Sequence, residues 1–192
     1  DQGDWANATS SASTKLVHGG LRYLESYDFK LVKKALAERG MLLRVAPHRV
    51  WPLRFGVPVY ADSRIGSLQL KLALTLYDFL AGRANPAMRH HHVSRNCFAA
   101  RFPMINPATL KRGFTYPDAQ TDDARLVLEL IAGAMAAGAV CVNYCKVTDL
   151  YETNGQGCGA RIQDMQHGGI GEIHATQVVY ATGQWTTVSA QA

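Results

Sequence analysis

The most regular hydrophobic pattern in the chain lies between Asp28 and Pro47. Apolar residues recur there at intervals of three and four, which is the spacing of an amphipathic helix. Asp28 is a suitable N-cap because its carboxylate can accept a hydrogen bond from the first turn, and Pro47 cannot continue a helix. The pattern predicts a helix between these residues. It also predicts a solvent-exposed face that carries Lys30, Lys33, Lys34 and Arg39.

Two further segments have the periodicity and the ends of helices. Residues 67–81 are rich in Leu and stop at Gly82, a residue type that is common just after a helix. Asp122 and Asp123 open another apolar run, which stops at Gly138. Acidic residues at that end complement the helix dipole. We expect a helix in both segments.

The residues between the first two helices, and those after the second, give weaker signals. Residues 50–59 are β-rich but include Pro52 and Pro58, so we expect an edge strand or a broken pair of strands. Residues 83–112 show no period, and we expect an irregular stretch. It contains the three histidines 90–92. Histidines in an extended segment point in alternating directions, and no carboxylate lies at ligand spacing, so we expect no metal there.

The last third of the chain has the pattern of short strands joined by tight turns. Asn154-Gly155 and Gly168-Gly169 are turn signals, and together with the alternating residues around them they predict a β-meander. Residues 177–180 form a compact apolar run that predicts a buried strand. The glycine of the following Ala181-Thr182-Gly183 would let backbone approach a ligand closely. The predicted meander strands are 140–144, 146–153, 159–165 and 172–174.

Length and composition indicate a globular protein with a real core. The chain has 192 residues, of which 47% are hydrophobic. No apolar run approaches the roughly 18 residues of a spanning helix, and the start lacks the pattern of a secretory signal. Because the chain has no initiator Met and stops soon after a strand pattern, we expect an internal segment of a longer protein.

The four cysteines indicate a reducing, cytoplasmic setting. They form no Cys-x-x-Cys pair and are too few for a disulfide framework in a chain of this length. Cys141 and Cys145 fall in a predicted strand region, and we expect no metal site there. The cysteines are Cys97, Cys141, Cys145 and Cys158.

Charge is divided unevenly along the chain. Residues 1–112 carry 17 Lys and Arg against 7 Asp and Glu, whereas residues 113–192 carry 3 against 8. A basic first half suits a phosphorylated substrate, a cofactor pyrophosphate or an acidic membrane surface, although a solvated basic surface has the same composition. No aromatic residues are interleaved with the cations of the first helix for base stacking, so we expect no nucleic-acid partner. Residues 1–14 form a polar loop whose hydroxyl and backbone donors suit phosphate or ribose.

Residues 8–24 carry a resemblance to a known family. They read Ala-Thr-Ser-Ser-Ala-Ser-Thr-Lys-Leu-Val-His-Gly-Gly-Leu-Arg-Tyr-Leu, and this run closely resembles the segment that follows the dinucleotide fold in FAD-dependent glycerol-3-phosphate dehydrogenases. Further landmarks follow in the family's order and span nearly the whole chain, with the weakest agreement in residues 60–105. These landmarks are residues 35–39, 46–48, 112–116, 122–128 and the Ala-Thr-Gly-x-Trp of 181–185.

The resemblance implies a fold, a cofactor and a reaction. The fold is a mixed α/β structure of the glutathione-reductase-like type, the cofactor is FAD, and the reaction is oxidation of sn-glycerol 3-phosphate to dihydroxyacetone phosphate. In that family a hydride passes from substrate C2 to flavin N5, and the electrons continue to a membrane quinone or to oxygen. Peripheral association with the cytoplasmic face of a membrane is therefore left open.

The same resemblance implies the site residues. Arg22 and Tyr23 are the catalytic candidates, although by residue type alone Arg22 could be a surface arginine and Tyr23 a core residue. Val147 is a cofactor candidate by resemblance only, because by residue type alone it could equally be an ordinary strand residue. Small residues let backbone donors reach a cofactor, and a fixed cation can hold a phosphate. The cofactor-contacting candidates are Thr9, Ser10, Ser13, Lys15, Leu16, Gly19, Gly20, Val147, Ala181 and Gly183.

The resemblance also divides the chain into segments. Residues 1–46 correspond to part of the FAD-binding domain, 47–112 to part of the substrate domain, and 113–192 to a return to the FAD-binding domain.

Two alternatives to the dehydrogenase remain open. One is a related FAD-dependent oxidase, which would share the Ala-Thr-Gly strand but not the run at residues 15–23. The other is a non-catalytic, truncated remnant that offers an interaction surface.

We expect the 192-residue chain by itself to bind FAD weakly or not at all, and to lack catalysis. No Gly-x-Gly-x-x-Gly follows a strand in it, so it has neither the helix N-terminus that binds the pyrophosphate nor the acid that binds the ribose. The measurement is the visible absorbance of the purified chain. A yellow preparation with one flavin per chain would contradict this expectation.

Overall fold

The computed structural model of the protein describes residues 1–82, 86–153 and 156–185. The chain divides into two compact units. One is Ser13–Asp123, and the other combines Asp1–Ala12 with Ala124–Ala192. The assignment of residues 1–46, 47–112 and 113–192 to the domains of a flavoprotein stays a prediction.

Helix α1, Phe29–Val45, confirms the strongest sequence pattern. The Asp28 carboxylate accepts a hydrogen bond from the backbone N–H of Leu31 at 3.0 Å, as an N-cap does. The helix ends two residues before Pro47. The prediction that Arg39 lies on the exposed face is wrong, because Arg39 is only 3% exposed. Its position seven residues after Val32 places it on the same buried stripe of the helix.

A long strand, β4, is the centre of the first sheet. β4 spans Leu110–Thr121, and β2, Val50–Tyr60, pairs with it antiparallel along its length. Two short strands, β1 at Leu16–Val17 and β3 at His91–Ser94, pair with the other edge of β4. Within the described residues β2 is therefore an edge strand, as predicted. It is continuous, so the alternative of a broken pair of strands is wrong.

Helix α2, Ser67–Leu80, covers one face of this sheet and confirms the second helical prediction. Leu70 and Leu74 pack with Val59 and Phe114, which share a sheet face because β-strand side chains alternate. Farther along α2, Tyr77 packs against α1. That second cluster consists of Leu24, Val32, Leu36 and Tyr77.

The other face of the sheet is covered by a short helix, α3, at Arg95–Arg101. Phe98 is 1% exposed and lies against Gly113, and the Phe102 ring lies against Gly56. These two glycines belong to the same face, opposite to Phe114. Neither strand position could carry a side chain without displacing an aromatic ring.

The expectation that residues 83–112 are irregular is therefore wrong in part. Within the described part of that stretch lie a short 3-10 helix at Pro86–Met88, strand β3 and helix α3. The strand has four residues and the helix has seven, too few to show a period in the sequence. Contacts with β4 stabilise both elements.

The second unit contains helix α4 and a three-stranded sheet. Helix α4, Asp123–Ala136, begins where predicted, and Gly138 follows it with a positive φ of 93°. Consecutive strands pair antiparallel in the order β5, β6, β7, which confirms the meander. The strands are β5 Cys145–Thr153, β6 Gln156–Asp164 and β7 Ile170–His174.

Two predicted strands of this unit are absent. Residues 140–144 are irregular and bond instead to the start of the chain, with the N-terminal ammonium of Asp1 donating to the carbonyl of Val142 at 2.7 Å. Residues 177–180 are irregular as well, and Val179 is 83% exposed. A buried strand needs neighbouring strands and covered faces, and the described residues place none beside 177–180.

No described helix is long and apolar enough to cross a membrane.

The core of the first unit contains a buried polar cluster. Arg39 Nη1 donates to Asp118 Oδ1 at 2.5 Å and to the carbonyl of Pro117 at 3.0 Å. The Tyr77 hydroxyl lies 2.9 and 3.0 Å from the two oxygens of Asp118. Burial, followed by the charge of Asp118, raises the pKa of Tyr77 above its usual range. The same two causes raise the pKa of Tyr116 to about 12.

Alkaline pH should destabilise the fold through these two tyrosines. In the unfolded chain a tyrosine ionises near pH 10, whereas folded Tyr116 keeps its proton until about pH 12. The unfolded state therefore releases protons that the folded state holds, and stability that is complete below pH 10 is lost as pH rises above it. Denaturant titrations at intervals from pH 9 to 11.5 should show this fall, and Tyr116→Phe should make it shallower. Tyr27→Phe, at a ring that is 78% exposed, should leave the slope as in the parent. Equal slopes in all three proteins would contradict the assignment.

Gly113→Ala should lower the free energy of unfolding by about 1–3 kcal/mol, the usual effect of overpacking a core. The added methyl would meet the Phe98 ring and force α3 or the ring to move. Thermal unfolding followed by circular dichroism measures the change. The matched control is Gly40→Ala in α1, where the nearest atom lies 3.8 Å away at the end of the Arg44 side chain. That control should keep or raise stability, because Ala is a better helix former than Gly. A Gly113→Ala protein as stable as the parent would show that α3 does not pack here.

Candidate cofactor and substrate site

The residues that the sequence singled out begin at strand β1 and the turn after it. β1 pairs Leu16 with Gln120 of β4, and the chain then turns at Gly19 and Gly20 into a 3-10 helix at Leu21–Leu24. Gly20 has a φ of 70°, a conformation that favours glycine. A Cβ there would also collide with the ring of Tyr23. The turn therefore has a backbone shape that another residue would strain.

Gly19 is held from inside the protein. Its N–H donates to the Tyr77 hydroxyl at 2.8 Å and lies 3.3 Å from Asp118 Oδ1. A Cβ on Gly19 would lie 2.5 Å from that hydroxyl and would also overlap Leu36. The structure thus gives a physical reason for glycine at both positions of the turn.

Arg22 and Tyr23 lie on the solvent side of the same turn. Together with His18, Gly20, Glu25 and Ser26 they line an open cavity of about 520 Å³. The Arg22 side chain is exposed and contacts no acidic side chain in the part of the chain that the structure describes. The nearby Glu25 carboxylate pairs with Arg64 at 2.6 Å instead. Tyr23 is 46% exposed, so the alternative that it is a core residue is wrong.

Ser13 and Lys15 come together at a carboxylate. The Ser13 hydroxyl donates to Asp123 Oδ2 at 2.5 Å, and Lys15 Nζ lies 2.6 Å from Asp123 Oδ1. The hydrogen bond to Asp123 raises the pKa of Lys15, an effect that partial desolvation opposes and the charges of Asp123 and Asp122 reinforce. Lys15 also has a φ of 59°, which is uncommon for a residue with a side chain. Its cation is neutralised locally, unlike that of Arg22.

The remaining candidates belong to the other compact unit. Thr9 and Ser10 are exposed in a turn where Ala12 N–H bonds to the carbonyl of Ala8 at 3.1 Å. Val147 is 55% exposed on β5. Ala181 is exposed, and Gly183 opens a 3-10 helix with a φ of 57°. The structure places Ser13, Lys15, Leu16, Gly19, Gly20, Arg22 and Tyr23 in one unit, and the role of each of the twelve candidates stays a prediction.

The histidine run has a carboxylate neighbour that sequence spacing did not reveal. His90 Nδ1 lies 2.7 Å from Asp78 Oδ2, and the His90 N–H donates to the same oxygen at 3.1 Å. His92 packs edge-on against Phe114, with ring centroids 5.4 Å apart. Among the described residues no group of three His, Cys, Asp or Glu could hold a metal ion. That the protein binds no metal there stays a prediction.

Sequence reasoning missed the three residues beneath the turn. Tyr77, Asp118 and Arg39 are 1%, 2% and 3% exposed. For Arg39 the helical period gave a usable signal, since it falls on the stripe of Val32. No local pattern marks Tyr77 or Asp118, because their partners are 41 or more positions away in the chain.

The residues on this turn fit a flavin cofactor with an anionic substrate. Gly20 lines the cavity and has no side chain to keep a flat ring at a distance, and the exposed Arg22 guanidinium can bind a phosphate through two nitrogens. The exposed hydroxyls of Thr9 and Ser10 suit phosphate or ribose.

The chain is similar in sequence to curated dehydrogenases. The chain is 37% identical over 182 residues to the aerobic glycerol-3-phosphate dehydrogenase of Bacillus subtilis (strain 168), covering 95% of the chain and 33% of that protein. It is 39% identical over 188 residues to the D-erythritol 1-phosphate dehydrogenase of Brucella abortus (strain 2308), covering 97% and 36%. The chain thus spans about a third of the length of these curated relatives.

The fold has a solved counterpart as well. The glycerol-3-phosphate dehydrogenase from Bacillus halodurans, solved in complex with FAD, superposes with a TM-score of 0.72 and 27% identity, covering 100% of this chain and 30% of that one. This confirms a partial flavoprotein fold with helices and antiparallel sheets. The family model for FAD dependent oxidoreductases (DAO) matches residues 1–192. The chain belongs to the DAO family of FAD-dependent oxidoreductases.

Proposed function

We propose that the full-length protein containing this chain oxidises sn-glycerol 3-phosphate to dihydroxyacetone phosphate with FAD. The observation that carries the proposal is the exposed Arg22 guanidinium, which pairs with no acidic side chain among the described residues. It lies beside the half-exposed Tyr23 ring, on a turn whose backbone is fixed at Gly19 and Gly20. The family of the chain and its similarity to the dehydrogenase of Bacillus subtilis support the cofactor and the reaction class.

Arg22 is the residue proposed to bind the substrate phosphate. Its guanidinium is permanently charged and planar, and can donate two parallel hydrogen bonds to a phosphate. Because no described acidic side chain pairs with it, binding an anion breaks no existing ion pair. Lys15 is less suited to this role, since Asp123 already holds its ammonium at 2.6 Å.

Tyr23 and the turn are proposed to orient the reactants. The Tyr23 N–H donates to the Gly20 carbonyl at 2.8 Å, which holds the phenol beside the glycines. Its hydroxyl can then donate to or accept from a substrate oxygen. Bound FAD would supply the acceptor for the hydride that leaves substrate C2. In the first unit, the residues proposed to contact the cofactor are Ser13, Lys15, Leu16, Gly19 and Gly20. For the other unit, the proposed cofactor contacts are Thr9, Ser10, Val147, Ala181 and Gly183.

The electron acceptor belongs to the same proposal. A membrane quinone or oxygen would take the electrons, with the protein in the cytoplasm or peripheral on the cytoplasmic face of a membrane. The excess of cations in residues 1–112 favours an acidic surface as a contact.

A second candidate substrate is D-erythritol 1-phosphate. Its support is the dehydrogenase of Brucella abortus, which is named for that compound and is 39% identical to this chain. Both compounds are polyol monophosphates, so Arg22 would serve the same purpose in each. Comparing kcat/KM for the two substrates decides between them, and activity with neither would favour a related oxidase or a non-catalytic protein.

Arg22→Ala and Arg22→Lys in the full-length protein should lower kcat/KM for glycerol 3-phosphate by roughly a hundredfold or more. That corresponds to losing a charge-assisted contact of about 2–3 kcal/mol. Melting temperature and flavin content should stay close to the parent's, because the side chain is exposed and contributes little to packing. Steady-state kinetics with flavin-normalised enzyme measures the effect.

The matched control is Arg44→Ala, at another exposed arginine of the same unit in the last turn of α1. It should keep kcat/KM within twofold of the parent's value. Near-parental kcat/KM in both Arg22 variants, or loss of folding in either, would show that Arg22 is not the substrate cation.

A further inference from the structure

Three buried side chains reach the Gly19 turn from its inner side. Tyr77 comes from α2, Asp118 from β4 and Arg39 from α1, and none is more than 3% exposed. Tyr77 and Asp118 meet at the N–H of Gly19, which lies 2.8 Å from the Tyr77 hydroxyl and 3.3 Å from Asp118 Oδ1. Two elements that are distant in sequence therefore bind one backbone group, and Arg39 from a third element donates to Asp118.

The direction of the hydrogen bonds in this cluster follows from which groups carry a hydrogen to donate. The Tyr77 hydroxyl oxygen accepts a hydrogen bond from the Gly19 N–H, so the hydroxyl can donate its own hydrogen bond to Asp118. The Asp118 oxygens can accept it, and Arg39 Nη1 donates to Oδ1 of the same side chain at 2.5 Å. The chain therefore runs from Gly19 N–H through the Tyr77 hydroxyl to Asp118, with Arg39 as its fixed end.

Packing alone does not call for such a cluster. Buried ion pairs can often be replaced by apolar residues of similar volume without loss of stability. This one also leaves Arg39 Nε buried without a hydrogen-bond partner among the described residues, which is a cost. Apolar residues could not accept the hydrogen bond that the Gly19 N–H donates in a fixed direction. The cluster thus specifies a position of the backbone in addition to filling the core.

The backbone that it specifies is the one that carries the site. Gly20 follows in the left-handed region, and its carbonyl accepts from Tyr23 N–H at 2.8 Å. Arg22 and Tyr23 line the cavity one turn later. A shift of Gly19 would therefore move the turn and both side chains together.

We propose that Tyr77 and Asp118, held by Arg39, are positioning residues that fix the Gly19–Gly20 turn for flavin binding. The inference rests on the proposed function, since it assumes that the turn lies against FAD. It assigns to these residues a purpose beyond the stability of the core.

The test is Tyr77→Phe in the full-length protein, which keeps the ring and removes only the hydroxyl. The dissociation constant for FAD, from flavin fluorescence titration of the apoprotein, should rise at least tenfold. Hydrogen exchange of the peptide spanning residues 16–24 should become at least tenfold faster in the apoprotein, and the visible spectrum of bound flavin should shift.

The matched control is Tyr116→Phe. Tyr116 is the partly buried tyrosine next to Tyr77, with ring centroids 5.9 Å apart, and among the described residues its hydroxyl makes no hydrogen bond to the turn. Tyr116→Phe should leave both the FAD dissociation constant and the exchange rate within twofold of the parent's.

If Tyr77→Phe yields no folded protein, Arg39→Lys serves instead. It keeps the charge on a shorter side chain, whose ammonium does not reach the position from which Nη1 donates to both Asp118 and the Pro117 carbonyl, and a threefold or larger rise is expected.

The outcomes separate the two proposals. A full-length parent that binds no FAD would overturn the proposed function itself. A parent that binds FAD, with Tyr77→Phe or Arg39→Lys within twofold of it, would overturn the positioning role alone. Equal weakening in Tyr77→Phe and Tyr116→Phe would also overturn it, because the effect would then come from packing.

Discussion

The ion pair between Arg39 and Asp118 is the interaction on which the arrangement of the first unit depends. The two charged side chains are 4% and 2% exposed, so each depends on the other and on neighbouring hydrogen bonds to offset its loss of solvent. Asp118 accepts from Arg39, Tyr77 and the Gly19 N–H. Removing one partner of a buried pair typically costs about 3–5 kcal/mol, because the other charge is left uncompensated. The pair therefore fixes α1, α2, β4 and the turn after β1 with respect to one another.

Glycines set the distances within this framework. Gly113 and Gly56 let the aromatic rings of Phe98 and Phe102 lie directly on one face of the sheet. At the turn after β1, Gly19 and Gly20 likewise let the backbone lie against Tyr77 and Tyr23. In each case a missing side chain allows a close approach, which makes the framework rigid where the site is built.

The two cations of the site differ in their electrostatic state, and this difference separates their roles. Lys15 is bound to Asp123, whereas the exposed Arg22 faces the cavity with no described acidic partner. The paired cation stabilises local structure, whereas the cation without a described partner is the one available to attract an anion. The chain belongs to the FAD-dependent oxidoreductases, and a phosphate ligand for Arg22 is part of the function proposed above.

Local signals in the sequence determined α1, α2, α4 and the meander, because periodicity, the Asp28 cap and the turn glycines act over a few residues. The resemblance of residues 8–24 also pointed to Gly19, Gly20, Arg22 and Tyr23. Only the tertiary structure decided the rest: the central strand β4, the short elements β3 and α3, and the burial of Arg39. The reason is the distance along the chain over which these contacts act. Arg39 meets Asp118 across 79 positions and Tyr77 meets Gly19 across 58, so no window of sequence contains both partners.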